Sequence, residues 1–291
     1  MISEIEADKH LGMTRNWCPI KFVSRFLVVA VWVSSAIFGC YILAFYGGAI
    51  PTQTLNQWNK HLPNLYDAQS PNSTLAMGFH LLAGSILLVL GPIQFIDQLR
   101  SRFPIWHRWI GRIYILSAMV AGIGGLTYIL IKGTVGGIFM NVGFGLYGLL
   151  ISAFAVQTFL SAKKLDFENH RAWAIRLLAL VIGSWLYRVE YGFWSIALNE
   201  FGRGPKFSGP FDLVMDFFFY LPNLLVAELI IRSKYQKQNS WAKRLSVVTL
   251  SIACIFVVIG TYFFTRYYWG PAIINRLTSL VALLYKSTLH T

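Results

Sequence analysis

Residues 107–132 read HRWIGRIYILSAMVAGIGGLTYILIK, and no charged side chain falls between Arg112 and Lys132. As a helix, such a stretch reaches across the ~30 Å hydrocarbon core of a bilayer, which takes roughly 20 residues. The same reading carried outward finds seven apolar stretches, at about 25–46, 74–96, 110–131, 136–160, 174–198, 211–231 and 246–265. Backbone groups in lipid must bond within their own segment, so all seven are expected as helices. Of the 291 residues 56% are hydrophobic and 13% charged, more apolar material than one soluble core needs. The expected fold is an all-α integral membrane protein of about seven transmembrane helices, with spans two to five forming a polar-lined four-helix core.

A net charge of +13 would suit nucleic acid in a soluble domain, but here the cations fall in alternate loops. Lys9, Arg15, Lys21 and Arg25 precede the first span, and Arg100, Arg102, Arg108 and Arg112 lie between the second and third. Lys163, Lys164, Arg171 and Arg176 follow, then Arg232, Lys234, Lys237, Lys243 and Arg244. The intervening loops hold only Lys60, Lys132, Arg203 and Lys206. The basic side is therefore read as cytoplasmic, and no nucleic-acid partner is expected. Residues 1–24 form a cytoplasmic segment, 25–265 one membrane domain anchored by an uncleaved first span, and 266–291 an interfacial segment. Within the last, Arg266-Tyr267-Tyr268-Trp269 reads as an aromatic anchor, and a short eighth span over 272–285 is the alternative. Cys18, Cys40 and Cys254 have no metal-type spacing and suggest no disulfide framework.

Helical phase gives spans two to five one small or polar stripe each. The stripes are Ala76, His80, Gly84, Gly91 and Gln94; His107, Gly111, Tyr114, Ala118, Ala121 and Gly125; Asn141, Gly145, Gly148, Ser152 and Ala155; and His170, Trp173, Ser184, Arg188 and Tyr191. Small residues on such a stripe let backbones approach. The histidines and Arg188 need more, because ionisable groups within a membrane are costly and face a site or cavity. The four stripes are expected to look inward.

Two spans begin alike, with His107-Arg108-Trp109-Ile110-Gly111-Arg112 and His170-Arg171-Ala172-Trp173-Ala174-Ile175-Arg176. Helix starts favour anions through their free N–H groups and dipole, and a positive-inside flank with interfacial Trp is the plainer account of the same residues. His107 and His170 could serve as axial ligands of one haem b, with Arg108, Arg112, Arg171 and Arg176 neutralising its propionates. A metal ion held with Asp166 or Glu168 is the alternative. A second group, His80, Arg188, Tyr191 and Asp216, is expected as a polar site in the outer half, with Asp216 a counter-ion and Asn141, Tyr191 or His80 an acceptor for Arg188. Pro222 is expected to kink the sixth span and free a carbonyl near Asn223. The seventh span holds no lysine for a retinal Schiff base, and no Walker loop, His-Glu-x-x-His motif or nucleophile elbow occurs.

From about residue 74 to 190 the chain resembles the predicted bacterial membrane proteins grouped as domain of unknown function 2306. The resemblance rests on His80, Gly91-Pro92 with Gln94, Arg102, His107-Arg108 through Gly111-Arg112 and Tyr114, His170 with Trp173 and Arg176, and Arg188. Ala174 departs from it, since the family more often has Met there. The resemblance implies a multi-pass topology in a bacterial cytoplasmic (inner) membrane, with the N-terminus cytoplasmic, and the same inward residues, and supplies no reaction. The leading expectation is a cytochrome-b-like electron-transfer protein with a quinone-type or other membrane redox partner. The rivals are a transporter or binder of a small anion or metal ion, and an accessory subunit of a membrane complex; whether the chain is an enzyme is left open.

Overall fold

The computed structural model describes residues 18–233 and 240–289. Lys9, His10, Arg15, Lys234, Lys237 and His290 lie outside the described residues. Among the described residues seven helices are long and apolar enough to cross a membrane. The first is α1 (Cys18–Phe45), followed by α2 (Pro71–Ile93), α3 (Pro104–Lys132), α4 (Gly137–Lys163) and α5 (Phe167–Leu198). The sixth crossing is broken into α6 (Pro210–Phe218) and α7 (Leu221–Ser233). The seventh is α8 (Ser240–Phe264), which runs through a π-helical turn at Thr265–Trp269 into α9 (Gly270–Leu289).

Local chemistry sets the ends of these helices. Pro71, Pro104 and Pro210 open α2, α3 and α6 in the first turn, where a missing N–H costs nothing. Asp166 caps α5 by accepting from the Asn169 N–H at 3.1 Å and from its Nδ2 at 2.7 Å. Gly133, at φ +73°, ends α3 in a conformation that an L side chain rarely adopts. Pro222 lies in the first turn of α7, where Asn223 Nδ2 donates to the Phe219 carbonyl at 2.9 Å, so the expected break in the sixth span and the nearby freed carbonyl are both present.

Helices α2 to α5 pack in sequence, and α2 also meets α5, closing a four-helix ring. Lipid tails offer helices no hydrophobic drive toward one another, so close contact at small residues holds the ring. A Cβ at Gly124 would lie 2.8 Å from the Ala76 carbonyl, and one at Gly91 would lie 3.0 Å from the Tyr114 ring. Helix α1 stands outside the ring, tied to α5 by Trp185 Nε1 donating to Ser34 Oγ at 3.0 Å and to α2 by Trp32 Nε1 donating to the Val89 carbonyl at 3.2 Å.

No turn separates α8 from α9, so residues 272–285 continue the seventh helix. Tyr267 and Tyr268 are exposed, as an anchor requires, but Trp269 is buried against Phe38 and Phe264, with ring centroids 5.3 and 5.0 Å away. Its indole packs between Phe38 of α1 and Phe264 of α8, not at the membrane surface where an anchor would lie. Arg276, which interrupts the apolar run, reaches back to α1 and the loop after it, donating to the Ala44 carbonyl at 3.2 Å and Thr52 Oγ at 3.3 Å.

Candidate functional site

The ring has two polar ends. At the basic end, where α2 and α4 finish and α3 and α5 begin, His107 and His170 lie close enough to feel each other's charge. His170 Nδ1 is 2.9 Å from the Thr158 carbonyl, so it carries the ring proton and leaves Nε2 as an acceptor. Gln94, in the amide orientation that satisfies both its ends, donates to His107 Nδ1 and the His107 carbonyl (3.2 Å each) and accepts from the Gly111 N–H at 3.3 Å. That places the His107 proton on Nε2. A Cβ at Gly111 would already stand 3.2 Å from the Gln94 side-chain amide, which is why a glycine serves at this position.

The matching motifs fold alike: Arg112 lies over the Trp109 ring at 4.9 Å and Arg176 over Trp173 at 4.7 Å. Their charges differ in partners. Arg176 donates through Nε (3.0 Å) and Nη2 (2.8 Å) to Glu228 of α7, whose other oxygen accepts from Arg232 at 3.0 Å. Arg108, Arg112 and Arg171 are exposed. Asp166 is held as the α5 cap, and its carboxyl lies below the usual carboxylate range because Asn169 donates to it. Among the described residues no three His, Cys, Asp or Glu side chains gather as a metal-ligand set.

The other end holds a cavity of about 210 Å3 inside the ring. All four ring helices line it, with His80 from α2, Gly125 from α3, Tyr147 from α4 and Tyr187 and Arg188 from α5. Leu62, Val135 and Phe207, from three separate loops, roof it. At 1.5 Å per residue, Arg188 lies about 15 Å along α5 from its end at Leu198. His80 Nδ1 is 2.8 Å from the Ala121 carbonyl, and Gly125 makes room for the imidazole, since a Cβ there would lie 2.9 Å from Nδ1.

Arg188 is the group that stands out in this lining. Its Nη1 donates to the Ser184 carbonyl at 2.6 Å, and its guanidinium carbon lies 4.9 Å from the Phe38 ring centroid. It shares the cavity lining with His80, Tyr46, Tyr147 and Tyr187. Among the described residues no carboxylate lies within ion-pair distance of it. None of the three acceptors expected for it serves. Asn141 accepts from the Thr134 N–H at 2.6 Å and Oγ1 at 2.8 Å, His80 faces Ala121, and Tyr191 donates to Asp212 at 2.8 Å.

Of the other residues expected here, Asp216 is wholly buried beside the cavity on α6, with both carboxylate oxygens lacking a hydrogen-bond partner among the described residues. It is not paired with Arg188. Its helix is held against α4 instead, where a Cβ at Gly143 would collide with the Asp216 backbone carbonyl. Asp212, one turn earlier and equally buried, accepts from Tyr191, from the Gly204 N–H at 2.8 Å and from the Gly209 N–H at 2.9 Å, with Arg203 Nε 3.9 Å away. Sequence reasoning missed Asp212 and Glu228. Asp212 had a signal, Gly209-Pro210 followed by an acid in the first turn, which reads as a helix start. Glu228 had one too, standing four residues before Arg232.

A closed ring of membrane-spanning helices around an internal cavity defines a polytopic membrane protein. The family described as "Predicted membrane protein (DUF2306)" matches residues 77–231, just over half of the chain, and the chain belongs to that family. The matched stretch covers the ring from Met77 onward and the broken sixth crossing. Neither the curated proteins nor the solved structures searched gave a match.

Proposed function

We propose that this protein binds, and as a carrier moves, a small organic anion whose carboxylate docks on Arg188 and whose apolar or aromatic body lies in the ring cavity. The observation that carries this reading is the guanidinium in the cavity lining without a protein carboxylate. A cation inside a membrane costs several kcal/mol unless an anion or a set of acceptors compensates it, and one carbonyl and one ring face are meagre compensation. A ligand carboxylate supplies the missing charge and makes a paired, charge-assisted hydrogen bond with the planar guanidinium. The volume agrees: about 210 Å3 exceeds the ~150 Å3 of an engineered apolar cavity that accepts benzene. Phe144, Tyr147 and Phe219 supply aromatic walls for the body of such a ligand. In this reading the basic end faces the cytoplasm of a bacterial inner membrane, by the excess of Arg and Lys there, and the roofed cavity faces outward.

The test is titration of the detergent-purified protein with benzoate and short aliphatic carboxylates, followed by tryptophan fluorescence and thermal stability. Saturable binding is expected, weakened at least tenfold in Arg188→Gln, since a hydrogen bond to a charged group contributes roughly 1.5–3 kcal/mol. Binding of equal strength in that variant would contradict the reading.

One observation favours a second reading, a haem between His107 and His170 passing electrons to a quinone-type partner. The two imidazoles neighbour each other, and the His170 Nδ1 contact with Thr158 is the arrangement that orients a ligating Nε2. His107 counts against it, because the Gln94 contact leaves its Nε2 protonated. Oxidised and reduced absorption spectra after haem-supplemented expression decide the point. A Soret band lost in His107→Ala and His170→Ala would favour haem, and a colourless protein would exclude it.

A further inference from the structure

The anion reading leaves the buried Asp216 without a role. Asp216 is fully enclosed in the membrane interior, and neither of its oxygens has a donor among the described residues. Asp212, four residues earlier on the same helix, has three hydrogen bonds and a neighbouring arginine. A carboxylate with no donor is costly to keep as an anion in a medium of low dielectric, whereas a neutral carboxylic acid is not. Asp216 borders the cavity through its neighbours: its backbone packs on Gly143 beside the lining residue Phe144, Phe219 three residues on lines the cavity, and so does Tyr187, whose buried hydroxyl has no hydrogen-bond partner among the described residues. Tyr187 and Tyr191 lie with ring centroids 4.6 Å apart, and Tyr191 donates to Asp212, whose other contacts are backbone N–H groups of the 204–209 loop.

We propose that Asp216 carries a proton that enters the site together with the anion, so that the protein couples anion binding to proton uptake. This rests on the anion reading of the cavity. A carboxylate docked on Arg188 is tolerated beside a neutral Asp216 and repelled by an ionised one. Where Asp216 is ionised in the ligand-free protein, one proton is taken up per anion bound and given back on release.

The charged and titratable groups around Asp216 are few. Helix α5 presents Tyr187, Tyr191 and Arg188, α6 itself presents Asp212, and Arg203 stands behind Asp212 in the preceding loop. On α4 the contact is Gly143, whose carbonyl accepts from Tyr220 at 3.3 Å, while Tyr147 is turned to the Leu180 carbonyl at 3.0 Å. His80, across the cavity, is the other group whose protonation would favour an anion.

The experiment combines infrared spectroscopy and benzoate titration of the full chain in liposomes, from mildly acidic to mildly alkaline pH. In ligand-free protein a carboxylic-acid C=O band is expected at mildly acidic pH, absent in Asp216→Asn, fading toward alkaline pH and restored there by benzoate. Benzoate affinity should fall about tenfold per pH unit on the alkaline side, the slope of one coupled proton. The slope should persist in His80→Gln and flatten in Asp216→Asn. An absent band, a flat wild-type profile, or a slope that vanishes in His80→Gln would overturn the proposal. Should Asp216→Asn not fold, the wild-type and His80→Gln profiles decide it. Failure of benzoate to bind at any pH overturns the anion reading and the coupling with it, while the infrared band reports Asp216 separately.

Discussion

The two ends of the ring treat charge in opposite ways. At the basic end Arg176 has Glu228, Gln94 and the Thr158 carbonyl hold the two imidazoles, and the remaining arginines point to solvent. At the cavity end Arg188 faces open volume without a carboxylate, and Asp216 is buried without a donor. Both ends are rich in ionisable residues, so the sequence makes them equally attractive. The difference teaches that the number of such groups is a poor guide to a site, and that the charge left unsatisfied by the protein is a better one.

The comparison is sharpest within α6, where Asp212 and Asp216 are equally buried and differently satisfied. Asp212→Ala removes an acceptor that holds Tyr191 and two backbone N–H groups, and should cost about 2–3 kcal/mol of unfolding stability in a denaturant titration. Asp216→Asn, with no native hydrogen bond to lose, should leave stability unchanged or raise it. An equal loss in both would break the distinction. At the basic end, Arg176→Gln should cost only about 1 kcal/mol, because the pair with Glu228 is partly open to solvent, at 21% and 32% exposure. It should leave benzoate binding untouched, whereas Arg188→Gln should lose binding with no comparable loss of stability.

The smallest effect concerns the loop that roofs the cavity. Lys132, donating to the Asp67 carboxylate, holds that carboxyl below the usual carboxylate range, with the Gln69 N–H adding to it. A carboxyl whose pKa is lower in the folded state stabilises that state above its unfolded value of about 4, and the contribution is lost as pH falls through the folded value. Limited proteolysis of residues 50–70 should therefore be unchanged across neutral pH and rise only in acid below about pH 4. Faster cleavage already near neutrality would mean that the ion pair does not tether the loop.

Much of this architecture was legible in the sequence. Hydropathy gave seven spans, and helical phase put His80, Gly125, Ser184 and Arg188 on inward stripes, where the structure has them lining one cavity. The paired His-Arg-Trp motifs also fold as a pair, each arginine over its tryptophan. What escaped were contacts between distant segments. Glu228 meets Arg176 only because the broken sixth crossing returns beside α5, and Tyr46 reaches the cavity from beyond the end of α1. Nothing periodic separates a tyrosine that faces lipid from one that lines a cavity. Trp269 failed for the same reason: an aromatic run beside an arginine resembles a surface anchor until the π turn rotates one of its rings inward.

The account stands on Arg188 as the docking point of an anion. The most direct measurement is anomalous diffraction from crystals of the full chain grown with an iodobenzoate. The account predicts an iodine peak inside the four-helix ring among Phe144, Tyr147 and Phe219, with the carboxylate on the Arg188 guanidinium. A peak at the basic end beside Trp109 or Trp173, with the ring cavity empty of ligand, would contradict it.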